Sequence, residues 1–116
     1  MYNYDPVHQK QDGTWWFWDE CQCDEYGPYD SERIARLEIA RYACIHLEGM
    51  LPIHSPDDIE VGMVMIHLED SPFIGKYQEV VVTAVGKNND TFDVKINDKQ
   101  IIVVHKNDYR CFVRKS

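Results

Sequence analysis

The residues with the most chemical potential are two short ligand-like pairs, Cys21-Gln22-Cys23 and Cys44-Ile45-His46. Together they offer the four ligands that a tetrahedral zinc site needs. The spacing argues against that use. Cys44 and His46 fall near the end of a predicted helix and point to different sides of it. Neither pair follows the two- or three-residue gaps usual for zinc, so all four residues are read as ordinary thiols and an ordinary imidazole. His67 and His105 are the other candidates, because both lie on predicted strands of the second half. If those strands faced each other, the two rings could work as a general acid and base. No nucleophile elbow, phosphate loop, dinucleotide fingerprint or zinc-protease motif occurs. The expectation is a protein that is not an enzyme and uses neither metal nor cofactor.

The other unusual stretch is Asp12-Gly13-Thr14-Trp15-Trp16-Phe17-Trp18-Asp19-Glu20. Side chains alternate along a strand, so Trp15 and Phe17 share one face and Trp16 and Trp18 the other. One pair can pack beneath a helix. The second either completes the core or forms a hot spot for a protein partner, where Trp and Tyr are enriched. The candidate binding set is Trp16, Trp18, Asp19, Glu20, Asp24, Glu25, Tyr26 and Tyr29. The carboxylates in this set make base stacking on nucleic acid a poor fit.

Charge points the same way. Residues 1–60 hold 13 acidic and 4 basic residues, a net −9, whereas residues 61–116 hold 7 and 8, a net +1, for −8 overall. The acidic half repels phosphate and favours a basic patch on a protein partner. A nucleic-acid contact, if present, falls to the second half, through Lys76, Lys87, Lys95, Lys99, Lys106, Arg110, Arg114 and Lys115. Lysines at strand edges and turns also serve solubility.

The elements that must position these residues are legible. Residues 4–11 form a first edge strand, Asp12-Gly13 a turn, and residues 14–19 a strand of high β-propensity. Gly27-Pro28 reads as a turn, with a short third strand near it. Asp30 or Ser31 caps a helix that Gly49 ends, and its apolar residues cover several sides. Such a helix is contacted on several sides, here by the hairpin and by the second half or another subunit. Residues 50–61, with two prolines and Asp57-Asp58, are the linker candidate. Five short strands follow, separated by turns.

The fold expected is α+β, with a hairpin-helix subdomain at 1–49 packed on a small SH3-like β-barrel at 62–116. No apolar run is long enough to span a bilayer, and the first residues lack the pattern of a signal peptide. The expected location is the cytoplasm, where Cys21, Cys23, Cys44 and Cys111 stay reduced.

The stretch from Gly13 to Glu20, followed by Tyr26 to Tyr42, resembles a pattern in small proteins of tailed bacteriophages and prophages. In these an aromatic strand precedes a G-P-Y-type turn and an alanine-containing helix. The resemblance covers roughly residues 1–48. It implies a protein that binds host machinery, for example by inhibiting or modulating a host enzyme, in the cytoplasm of the host cell. The expected partner is a host or phage protein, or a second copy of the chain.

Overall fold

A computed structural model describes residues 5–86 and 90–115, with one α-helix and two antiparallel sheets. The α+β class therefore holds. The chain divides into two compact units, Met1–Ala40 and Arg41–Ser116, and the boundary falls inside the helix.

The first unit opens with a three-stranded sheet in the order β1 (Val7–Gln9), β2 (Trp15–Trp18), β3 (Glu25–Tyr29). The hairpin between β1 and β2 is set by its turn chemistry. Gly13 adopts φ +89°, and the Asp12 carboxylate accepts from the Thr14 amide at 2.9 Å and its hydroxyl at 2.6 Å. Gly27-Pro28, expected as a turn, lies within β3 instead. There the pairing slips: Trp15 faces Tyr29, yet Phe17 faces Tyr26, so β3 carries the extra residue of a bulge.

The helix, α1 (Glu32–Glu48), begins as its sequence predicts. The Ser31 hydroxyl accepts from the Ile34 amide at 3.2 Å, and Glu32 adds negative charge to the first turn. Gly49 at φ +70° ends it. In the first unit α1 buries Ala35, Leu37 and Ala40, and in the second it buries Cys44.

The second unit holds a six-stranded sheet. Its strands are β4 (Leu51–Pro52), β5 (Val64–His67), β6 (Glu79–Val85), β7 (Thr91–Asn97), β8 (Gln100–His105) and β9 (Phe112–Arg114), in the order β4-β9-β5-β6-β7-β8. A 3₁₀ turn at Lys106–Cys111 leads into β9. A closed barrel was expected; the sheet is open, with β4 and β8 at its ends. Residues 50–61, expected as a linker, supply β4 and bury Ile53 and Ile59. Pro52 lies in β4, and Pro56 with the paired aspartates forms a 3₁₀ turn at Pro56–Asp58, capped by Ser55, and not a free connection.

Alternation builds the core of this unit. Val80 and Val82 of β6 and Phe92 and Val94 of β7 are nearly inaccessible at every second position, and β9 buries the consecutive Phe112 and Val113. Each contributes about 1.5–3 kcal/mol by leaving water. Phe92 meets Phe112 edge-on at 6.0 Å.

His67 is the polar exception. It is 5% exposed, its ring lies 5.0 Å from Phe112, and its Nδ1 has no hydrogen-bond partner. Burial pushes its pKa below the ordinary 6.5, against the opposing pull of Glu69. The folded state therefore holds His67 neutral, while the unfolded chain takes up a proton as pH falls below about 6.5. The resulting prediction is a loss of stability on acidification that begins near that pH, ahead of the carboxylates. In His67→Phe this early limb of a pH–stability curve, followed by circular dichroism in urea, should flatten. An unchanged limb would place the effect elsewhere.

Candidate protein-binding surface

The hairpin turn orients the aromatic strand. Thr14, fixed by Asp12, uses its hydroxyl to accept from Trp16 Nε1 at 2.7 Å. The Trp16 ring lies against the backbone of Gly27: a Cβ there would stand 2.6 Å from Trp16 Cδ2 and 2.9 Å from the Trp15 carbonyl oxygen. Lys10 Nζ covers the Trp16 ring at 3.8 Å from its centroid. His8 stacks on Trp18 at 5.7 Å.

One carboxylate joins these two stacks. Glu25 Oε1 lies 2.7 Å from Lys10 Nζ, and Glu25 Oε2 lies 2.6 Å from His8 Nε2. The Lys10 hydrogen bond is the main cause that holds the Glu25 carboxyl below the usual carboxylate range; desolvation opposes it, and the His8 hydrogen bond adds a lesser contribution. His8 Nδ1 reaches the Pro6 carbonyl at 3.1 Å. Trp16, Trp18, His8 and Glu25 are each part-buried, which leaves ring area open at fixed orientation.

The opposite face is a stack. Phe17, 1% exposed, has Tyr26 at 5.0 Å and Tyr29 at 6.0 Å with nearly parallel rings. Of the eight residues expected to form one surface, Trp16, Trp18 and Glu25 come together. Tyr26 and Tyr29 instead buttress Phe17.

Asp19 departs further from expectation. It is buried and organises the turn between β2 and β3, its Oδ1 accepting from the Cys23 amide at 2.8 Å. Burial works against its charge, but the amides of Cys23 and Asp24 and the Cys21 thiol outweigh it, and the pKa is lowered. Glu20 and Asp24 are exposed on the same turn. Of the four carboxylates in the expected set, Asp19 is internal and Glu25 bridges Lys10 and His8, so Glu20 and Asp24 are the two exposed ones. Lys10 and His8 were missed in the sequence reading; their signal was register, since both lie on or beside β1 across from the tryptophans.

The other candidates separate. Cys21 and Cys23 are exposed free thiols and Cys44 and Cys111 are buried ones. Hydrogen bonding with Cys23, then desolvation and the Asp19 carboxylate, push Cys21 up to about 11, so it stays a thiol at neutral pH. Among the described residues no group of three or more His, Cys, Asp and Glu side chains could hold a metal ion. His67 and His105 are not brought together. They lie on β5 and β8, with β6 and β7 between, and His105 Nδ1 accepts from the Asn107 amide at the 3₁₀ turn.

Several cations of the second unit have assigned partners. Lys95 pairs with Asp98, Lys115 with Glu79, and Lys106 donates to the Gly86 carbonyl. Lys87 lies outside the described residues. No helix among the described residues is long and apolar enough to cross a membrane. Comparison with protein-family models, curated proteins and solved structures finds no match for this chain.

All three tryptophans lie in β2, so their fluorescence reports on this strand. Gly27→Ala forces a side chain into a φ of +153° and against Trp16. It should cost about 1–3 kcal/mol for the backbone alone, with the steric clash in addition. The check is a urea titration read by tryptophan emission, in which an unshifted midpoint would contradict the close approach.

Proposed function

We propose that the chain is a non-enzymatic protein-binding module of the phage type, which engages its partner through the Trp16–Trp18 face of the first unit. One observation supports this reading above the others. Both indoles are part-open yet held in place, Trp16 by Thr14, Lys10 and Gly27, and Trp18 by His8. Pre-ordered aromatic side chains lose little entropy on binding, which is why such residues serve as anchors. Glu20 and Asp24 add an acidic rim that suits a basic patch on the partner. The phage resemblance points to a host enzyme as that partner, with inhibition or modulation as the consequence.

The second unit is read as an SH3-like domain. The order β9-β5-β6-β7-β8 supports this, as do the long loop from Leu68 to Gln78 and the 3₁₀ turn before the last strand. In this reading it is a scaffold, since several of its cations already have protein partners.

The test is a pull-down with the tagged full chain from nuclease-treated bacterial lysate, comparing the wild type with Trp18→Ala. Truncating one anchor should weaken a specific partner by about 30-fold, the ratio that corresponds to roughly 2 kcal/mol. Circular dichroism should be unchanged. A folded variant that retains its partner fully would overturn the assignment of this face.

A further inference from the structure

The two ends of the six-stranded sheet differ in kind. At one end β4 has only two residues, and one is Pro52, which has no amide to donate. Short length and proline are how natural sheets block unwanted pairing. At the other end β8, Gln100-Ile101-Ile102-Val103-Val104-His105, has six residues with no proline and no Lys, Arg, Asp or Glu. Among the described residues it pairs only with β7.

The backbone hydrogen bonds show which groups face that open edge. The Lys106 amide donates to Asp90 O at 2.6 Å and the Gly86 amide to Thr91 O at 3.2 Å. In an antiparallel ladder these bonds alternate strictly. Thr91 therefore turns its backbone groups toward β6, and Phe92 and Val94 turn theirs toward β8. Their register partners are Val104 and Ile102. Ile101, Val103 and His105 consequently aim their N–H and C=O groups outward. The side chains on these outward positions are also apolar and open, Ile101 at 58% and Val103 at 65% exposure.

We infer that β8 is a self-association edge, on which a second copy of this chain adds its own β8 antiparallel about a two-fold axis at Ile102. This register matches on three counts. It sets Ile101 opposite Val103 of the second copy, and the reciprocal pair likewise, so the outward amides and carbonyls exchange bonds. It places two apolar pairs side by side on the open face, where cross-strand β-branched pairs are favourable. It also brings Asp98, whose side chain is 98% exposed although its carboxylate lies 3.3 Å from Lys95, opposite Lys106 of the second copy, whose Nζ donates to the Gly86 carbonyl of its own chain. Centring the axis on Val103 instead would set Asp98 against Asp108, two like charges. The surface is distinct from the Trp16–Trp18 face, and the inference stands independently of it.

The experiment combines sedimentation velocity over a concentration series with amide hydrogen exchange on the full wild-type chain. A concentration-dependent dimer is expected. Ile102 and Val104 amides should be protected at all concentrations, and Ile101 and Val103 should gain protection only where the dimer is populated. Ile101→Lys/Val103→Lys alters only outward side chains and should weaken dimerisation at least tenfold with an unchanged circular dichroism spectrum. A chain monomeric at every concentration overturns the inference. So does a dimer in which Ile101 and Val103 exchange as fast as in the monomer. Because exchange is read on the wild type, a misfolded variant leaves the test intact.

Discussion

The contact on which the candidate surface depends is the approach of the Trp16 indole to the backbone of Gly27. No Cβ fits between them. With the ring seated there, β3 takes up its extra residue at Gly27 and Pro28, and the pairing resumes with Phe17 opposite Tyr26. That slip sends Tyr26 onto Phe17 and brings Glu25 level with Trp18. Glu25 can then hold Lys10 over one indole and His8 over the other. Strand alternation divides the aromatic strand into two faces, and the small residue at position 27 lets the Trp16 ring seat on one of them.

The electrostatics of that face differ from what its composition suggests. Ion pairs exposed to solvent contribute little to stability, about 0–1 kcal/mol each. The Glu25 bridge matters for geometry more than for energy, because it fixes the Lys10 ammonium and the His8 imidazole against two rings. Asp19 illustrates the other use of a carboxylate. Its oxygen satisfies amides of a tight turn and is lost to any partner. Counting acidic residues overstates the negative potential that a binding protein would meet.

The second unit has a different logic. Strands β6 and β7 alternate inward and outward residues, β5 and β9 bury consecutive ones, and β7 lies between β6 and β8 with both edges satisfied. Such a sheet must end somewhere. One end is closed by brevity and proline, while the other presents an unbroken row of backbone groups and β-branched side chains. The difference is a property of the pairing order and is invisible in either strand taken alone.

The division between sequence and tertiary structure follows from the range of the interactions. The hairpin turn at Asp12-Gly13, the cap at Ser31, the stop at Gly49 and the five strands of the second half were all legible, because each rests on contacts within a few residues. Alternation correctly separated Phe17 from Trp16 and Trp18. The sequence could not place Gly27-Pro28 inside a strand, because the bulge exists only once Trp16 packs across it. It could not show that residues 50–61 bury Ile53 and Ile59 and pair through β4, since their partners lie some 60 residues onward. Nor could it separate His67 from His105, or decide which strand is left at the edge. Strand order is set by long-range pairing, and the same short apolar segment reads alike at the centre of a sheet and at its margin.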